Sequence, residues 1–127
     1  MVVIVGIGTD IVKIDRINKA CENPRFLEEY FSGRENTFFR TKKNMTLSVA
    51  NNFAAKEAFS KALGTGVRGF SMREVEVLRD ELGKPYIELC GKALECAKKI
   101  NAKNIHVTLS NTDTDAIAFV VLEGEAK

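Results

Sequence analysis

The longest periodic stretch of the chain covers residues 46–66, where apolar and polar residues recur with the spacing of a helix. At about 100° per residue, one broad face of this helix is apolar. Gly64 is well placed to end the helix, because glycine adopts the left-handed backbone conformation without a steric penalty. The pattern predicts one long helix, closed by a glycine-rich loop over 64–70, with an apolar face formed by Leu47, Ala54, Ala55, Ala58, Phe59, Ala62 and Leu63.

Shorter patterns elsewhere in the chain predict β-strands. The run from Val2 to Ile7 is apolar and rich in β-branched residues, which favours a strand buried on both faces. Residues 73–79 alternate between charged and apolar types, which predicts a half-exposed strand that forms a hairpin with residues 85–89. Two further strands are predicted over 104–110 and 116–123, and a turn-rich segment joins them.

The remaining segments predict short helices and one loop. Helical spacing indicates a helix from Ile11 to Cys21, a second helix over 24–32 that Gly33 ends, and an amphipathic helix over 91–104. Residues 34–45 are mostly polar and predict an irregular segment. The order of these elements predicts an α+β fold, in which a small antiparallel sheet packs against one long helix and several short ones.

Composition narrows the class of protein. A length of 127 residues predicts one domain over 1–127, and 45% hydrophobic with 28% charged residues is typical of a globular protein. A net charge of +2 gives no support for a nucleic-acid partner. No apolar run approaches the ~20 residues that span a bilayer, so we expect no membrane insertion and a cytoplasmic location. The three cysteines form no CxxC pair and are expected to be buried, reduced thiols.

Candidate chemistry is concentrated at Asp10, Glu57 and Lys61. Glu57 and Lys61 lie one turn apart at the edge of the apolar face, and the simplest interpretation is a surface ion pair. Asp10 follows the first predicted strand, where aspartate often caps a helix. Alternatively, Asp10 and Glu57 supply the one or two carboxylates with which Mg²⁺ is usually held. The residues by themselves leave these alternatives open.

Four segments carry a family resemblance when they are taken together and in this order. They are GIGTDIVKIDRI (6–17), FAAKEAFSKALGTG (53–66), LGKPYIEL (82–89) and HVTLSNTDTDAIAFVVLE (106–123). The chain resembles the holo-[acyl-carrier-protein] synthases, the small trimeric class of 4′-phosphopantetheinyl transferases. The resemblance implies Mg²⁺-dependent transfer of 4′-phosphopantetheine from coenzyme A to a serine of apo-acyl carrier protein, in support of fatty acid biosynthesis. It also implies a homotrimer with active sites between neighbouring subunits.

The resemblance assigns roles to individual residues. Asp10 and Glu57 would hold Mg²⁺ against the pyrophosphate, and Lys61 would pair with phosphate charge and take part in catalysis. Arginines in the first helical region would dock the acidic helix of the carrier protein, for which Arg16 and, more weakly, Arg25 are candidates. The implied contacts with coenzyme A are Ser60, Lys61, Gly64, Gly66, Lys84, Pro85 and Asn111.

Asn111 departs from the family pattern, because many members carry a histidine immediately after the serine of this strand. An amide can donate a hydrogen bond to phosphate but does not take up a proton at working pH. His106 lies five positions earlier and is expected to point to the opposite face of the strand, so it is no substitute. We therefore expect a water on the metal to accept the proton. Two alternatives are a homologue that binds coenzyme A or the carrier without transfer, and a structural protein whose acids only form ion pairs.

Overall fold

The computed structural model of the protein describes residues 1–66 and 69–126. The strands are β1 (Val2–Lys13), β2 (Val75–Arg79), β3 (Pro85–Leu89), β4 (Ala102–Asn111) and β5 (Asp115–Glu125). The α-helices are α1 (Ile14–Ala20), α2 (Pro24–Tyr30), α3 (Gly33–Arg40), α4 (Met45–Leu63) and α5 (Gly91–Lys99), and a 3₁₀ turn (Met72–Glu74) precedes β2.

The strands form two antiparallel groups, a sheet in the order β1–β5–β4 and a β2–β3 hairpin. The long helix α4 packs against β1 and β5, and its alanines form much of the core. Gly64 ends α4 with a left-handed φ of 84°, as predicted. The α+β prediction is therefore confirmed. The predicted glycine-rich loop over 64–70 includes residues 67 and 68, which lie outside the described residues. No described helix is both long enough and apolar enough to cross a membrane.

Strand β1 is longer and more exposed than predicted. It continues through Lys13, so the helix predicted from Ile11 begins only at Ile14. The reason is long-range pairing, because β5 lies beside β1 as far as the pair Lys13–Asp115. Burial on both faces is also wrong for the single chain: Val2, Ile4, Ile7 and Ile11 are between 59% and 66% exposed.

Helix α3 occupies most of the segment predicted to be irregular, so that prediction is wrong. Ser32 caps its first turn, and Glu35 completes a reciprocal capping box with Ser32. Gly33 therefore begins this helix, although the sequence predicted that it would end the previous one. The spacing of Ser32 and Glu35 is the sequence signal for a helix start.

The β2–β3 hairpin is confirmed, but β2 is not half exposed. Val75 and Val77 are fully buried, and the Glu76 carboxylate is covered on the other face by Arg34 of α3.

All three cysteines are free thiols, as expected, yet Cys90 is exposed at the start of α5. The expectation of burial is therefore wrong for Cys90, and Cys21 and Cys96 are only partly buried.

A buried ion pair lies at the centre of the molecule, and the sequence interpretation missed it. Lys56 of α4 and Glu35 of α3 are both 0% exposed, and their Nζ and Oε1 atoms are 2.6 Å apart. Lys56 also donates to the backbone oxygens of Met72 and Val75, while Asn52 donates to Glu35 Oε2. Burial raises the pKa of Glu35 and lowers that of Lys56, and the close contact between them opposes both shifts.

Candidate active site

Close packing of β1 against α4 sets the position of Asp10. A Cβ added to Gly8 would lie 2.1 Å from the backbone oxygen of Ala58, and one added to Gly6 would lie 2.0 Å from that of Ala62. Glycine is required at both positions because backbone meets backbone there. Asp10 shares this face of β1, since side chains alternate along a strand. It therefore lies beside the turn of α4 that carries Glu57 and Lys61.

Lys61 pairs with Asp10 across this contact. Its Nζ lies 3.0 Å from Asp10 Oδ1, with the lysine side chain 57% exposed and the aspartate side chain 16% exposed. The simple prediction of a Glu57–Lys61 ion pair is thus replaced by a pair between α4 and β1. The helix-cap alternative for Asp10 is wrong as well, because Asp10 lies inside β1 and the residue before α1 is Lys13.

The Glu57 side chain is contacted by Tyr30, which is the last residue of α2. The Tyr30 hydroxyl donates a hydrogen bond to Glu57 Oε1. Burial, together with the negative charges of Glu57 and Asp10, raises the pKa of the Tyr30 phenol. The phenol therefore stays neutral and acts as a hydrogen-bond donor. Asp10 and Glu57 therefore both add negative charge near the Tyr30 hydroxyl.

The donor set of this region suits Mg²⁺ better than a metal held by protein ligands alone. Among the described residues, no group of three or more His, Cys, Asp or Glu side chains could enclose a metal ion. Mg²⁺ commonly takes one or two carboxylates and completes its shell with water and substrate phosphate. Asp10, which already attracts the Lys61 ammonium group, and Glu57 fit that pattern. Asp10 and Glu57 could therefore hold Mg²⁺ together with a phosphate ligand.

The predicted phosphate contacts on α4 are only partly presented to a ligand. Ser60 is buried, and its hydroxyl donates to the backbone oxygen of Lys56. Its side chain is therefore directed into the protein and not toward Asp10. Gly64 and Gly66 both have positive φ and follow the C-terminus of the helix. Gly64 borders a cleft between the end of α4 and α5, which Lys92 and Lys99 also line.

Two of the predicted coenzyme contacts lie apart from the acid pair. Lys84 and Pro85 belong to the β2–β3 turn, where the backbone of Lys84 donates to Asp80 Oδ1. Within residues 1–66 and 69–126, no hydrogen bond or ion pair connects them to Asp10, Glu57 or Lys61. Within the described part of one chain, the turn and the α4 site are therefore not joined by any polar contact.

Asn111 is the last residue of β4 and lies in the same sheet as Asp10. Its partner on β5 is Ala116, which in turn pairs with Val12, two residues beyond Asp10. Two strand spacings place the Asn111 backbone on the order of 10 Å from β1. His106 lies on the exposed face of β4 with Nε2 3.3 Å from Glu123 Oε1, and the strand alternation puts it opposite Asn111.

The candidate partner-binding arginines are both exposed. Arg16 lies on α1, and no ion pair occupies it within the described residues. Arg25 forms an i,i+4 pair with Glu29 on α2, with Nη2 2.8 Å from Oε1. Glu29 therefore competes with any acidic partner for Arg25, whereas the charge of Arg16 is available.

Comparisons with known proteins show which family this chain is similar to. The model of one protein family, the 4′-phosphopantetheinyl transferase superfamily, matches residues 6–120. The protein from Clostridium botulinum strain Alaska E43 named holo-[acyl-carrier-protein] synthase is 49% identical over 119 residues, which cover 93% of this chain and 96% of that protein.

Solved structures of two further proteins have the same fold. The holo-ACP-synthase from Plasmodium yoelii has a TM-score of 0.87 at 32% identity and covers 99% of each chain. The holo-(acyl-carrier-protein) synthase from Bacillus anthracis, solved in complex with CoA (3′,5′-ADP), has a TM-score of 0.81 at 35% identity and covers 96% of this chain and 98% of the other.

Proposed function

The chain belongs to the 4′-phosphopantetheinyl transferase superfamily, and from that premise we infer that it transfers 4′-phosphopantetheine from coenzyme A to a serine hydroxyl of apo-acyl carrier protein. The second product is adenosine 3′,5′-bisphosphate. The observation that carries this inference is the match to holo-[acyl-carrier-protein] synthases over more than nine-tenths of the chain, 93% in one relative and 96% in a solved structure. The Asp10–Lys61 and Tyr30–Glu57 contacts also support it, because they form a charged site that involves the segments 6–17 and 53–66, the first two that carry the family resemblance.

The reaction is an attack by the serine oxygen on the phosphorus that carries the pantetheine, with the bisphosphate as leaving group. Such a transfer depends on positioning and charge neutralisation more than on covalent catalysis. Asp10 and Glu57 are the residues that would hold Mg²⁺, which neutralises phosphate charge and increases the acidity of water. The Lys61 ammonium binds phosphate oxygens once it exchanges Asp10 for the substrate, a short movement for a flexible, half-exposed side chain.

Asn111 performs a different task from a histidine at this position. Its Nδ2 atom, which here donates to the Thr112 backbone oxygen, can donate instead to a phosphate oxygen. It does not accept the serine proton. Gly64 and Gly66 leave the backbone after α4 open to the pyrophosphate, while Lys84 and Pro85 are proposed to contact the coenzyme from a neighbouring subunit. The buried Ser60 hydroxyl stabilises this end of α4 through its hydrogen bond to the Lys56 backbone oxygen.

The proposed assembly is a homotrimer, and one face of the sheet supports it. A bulge between Ile4 and Gly6 shifts the alternation of β1, so that Val2, Ile4, Ile7 and Ile11 all lie on the outer face. Phe119 of β5, which is 41% exposed, pairs with Thr9 and extends the same face. Contiguous apolar surface of this kind marks interfaces. An active site shared between subunits would bring a neighbour's β2–β3 turn or Asn111 to Asp10 and Glu57.

The carrier protein is proposed to dock on α1, where Arg16 offers an exposed guanidinium to an acidic helix. Complementary charge mainly sets the encounter rate and the choice of partner. We place the activity in cytoplasmic fatty acid biosynthesis, in line with the family resemblance. The alternative is a module that binds coenzyme A or the carrier without transfer, which the amide at Asn111 motivates.

Intact-protein mass spectrometry of apo-acyl carrier protein tests the proposal. The carrier is incubated with the protein, coenzyme A and Mg²⁺, and the matched controls omit the metal or use Glu57→Gln. We expect the carrier to gain the mass of one phosphopantetheine group, and we expect both controls to lose that gain. Coenzyme A binding without any gain, in a folded protein tested with several carriers, would support the binding module instead.

A further inference from the structure

Tyr30 has no role in the proposed reaction, yet it makes a side-chain contact with the proposed metal ligand Glu57. Stacking against two aromatic rings fixes its position. The Tyr30 ring stacks on Phe53 with centroids 4.9 Å apart and an angle of 18°, and on Phe26 at 5.7 Å and 26°. Stacked and offset aromatic pairs of this kind favour one relative geometry. The phenol is therefore held on a rigid surface formed by α2 and α4.

The spacing along α4 explains why the hydroxyl reaches Glu57. Phe53 and Glu57 are four residues apart, so their side chains occupy the same face of the helix on successive turns. The Tyr30 ring, which stacks on Phe53, therefore lies one helical turn from Glu57. This places the donor at Glu57 Oε1. Within the described residues, Oε2 of Glu57 accepts no hydrogen bond and is left for a cation.

We propose that Tyr30 is a positioning residue for Glu57: its hydroxyl binds Oε1 and orients the carboxylate so that Oε2 serves as the ligand for the divalent cation. The inference rests on the proposed function, because it takes Glu57 as a metal ligand. Ligating carboxylates are commonly hydrogen-bonded by a second residue, and removal of such a partner typically costs about 10- to 100-fold in metal affinity or activity. Tyr30 does not touch substrate in this scheme.

Tyr30→Phe separates this role from simple packing. The substitution keeps the ring on Phe53 and Phe26 and removes the donor alone. The chain also provides a matched control, since its other tyrosine is Tyr86, a partly exposed residue of β3. Tyr86→Phe deletes the same atom at a position with no proposed contact to coenzyme or metal. Glu57→Gln, the substitution at the carboxylate itself, defines the signal that belongs to this site.

The experiment measures Mn²⁺ binding by electron paramagnetic resonance, with adenosine 3′,5′-bisphosphate present, for the wild type and the three variants. The Mg²⁺ dependence of the transferase rate and the melting temperature are recorded in parallel. For Tyr30→Phe we expect the Mn²⁺ dissociation constant and the half-saturating Mg²⁺ concentration to rise about tenfold or more. We expect an unchanged melting temperature, a kcat close to that of the wild type at saturating Mg²⁺, and no change for Tyr86→Phe.

The outcomes separate this inference from the proposed function. If Mn²⁺ binding depends on Glu57 and is the same in Tyr30→Phe as in the wild type, Tyr30 does not position the ligand and the inference is overturned. An equal loss in Tyr86→Phe would overturn it too, because the effect would not be specific to the Glu57 contact. If the wild type transfers phosphopantetheine and Glu57→Gln leaves Mn²⁺ binding intact, Glu57 is not a ligand and the inference falls while the transferase stands.

Discussion

Replacing Lys56 by methionine tests the buried ion pair at the centre of the fold. Methionine has a similar length but carries no charge, so the substitution removes three contacts of the ammonium group with little change in shape. The distances from Nζ are 2.6 Å to Glu35 Oε1, 2.7 Å to the Met72 oxygen and 2.8 Å to the Val75 oxygen. Glu35 would keep neutral donors, the backbone of Ser32 and the side chain of Asn52.

We expect Lys56→Met to lower the free energy of unfolding strongly, because Glu35 would remain as a buried, uncompensated carboxylate. Removing one partner of a buried ion pair typically costs about 3–5 kcal/mol, against about 5–15 kcal/mol for the free energy of unfolding of a whole domain. The matched control is Lys61→Met, the same change on the same helix. Lys61 is 57% exposed, so loss of its pair with Asp10 should cost no more than about 1 kcal/mol.

The assay is urea-induced unfolding followed by far-ultraviolet circular dichroism, at a fixed protomer concentration because an oligomer's stability depends on it. A second variant, Glu35→Gln combined with Lys56→Met, removes the unpaired charge. We expect its destabilisation to be smaller than the sum of those of the single variants, because the two residues interact directly. If Lys56→Met and Lys61→Met lower the free energy of unfolding equally, by less than about 1 kcal/mol, the reasoning about the buried pair is refuted.

Three further predictions follow from the packing and the charges. Gly8→Ala should destabilise the protein and abolish transfer, because its Cβ would collide with the backbone of α4, whereas Gly33→Ala, with no atom in contact range, should be neutral in the same melting and transfer assays. Hydrogen bonds from Arg34 hold the pKa of Glu76 below its ordinary value, so this pair stabilises the fold above the unfolded-state pKa of about 4.3 and is lost as pH falls through the lower, folded-state value. Between roughly pH 6 and pH 3, Glu76→Gln should therefore lose less free energy of unfolding than the wild type. Urea unfolding measures this difference, and an identical loss in both proteins would contradict the role assigned to the Arg34–Glu76 pair. Arg16→Ala should raise KM for the carrier protein and leave KM for coenzyme A unchanged in a steady-state assay, and an equal change in both would exclude α1 as a specific docking surface.

The sequence predicted elements whose signals are local. The C-terminus of α4 depends on Gly64, and the β2–β3 hairpin depends on the turn around Gly83, which adopts a φ of 85°. Helix α3 was missed although its Ser32–Glu35 capping box is a local signal, because the surrounding residues are mostly polar.

The arrangement around the site depends on contacts that local patterns do not contain. The pairing of β1 with β5 extends the strand through Asp10, and the approach of Gly8 to α4 brings Asp10 to Lys61. Sequence spacing suggested that Lys61 would pair with Glu57, its neighbour on the helix. Tyr30 was likewise missed, because its contact with Glu57 joins residues 27 positions apart.

The most direct test of the central claim is the mass of apo-acyl carrier protein after incubation with the wild-type protein, coenzyme A and Mg²⁺. We predict that the carrier gains one phosphopantetheine group, that a carrier with its acceptor serine replaced by alanine gains none, and that Glu57→Gln is inactive. This result would also show that an asparagine at position 111 is compatible with transfer. An unchanged carrier mass in the presence of folded, coenzyme-bound protein would contradict the assignment of this chain as an active transferase.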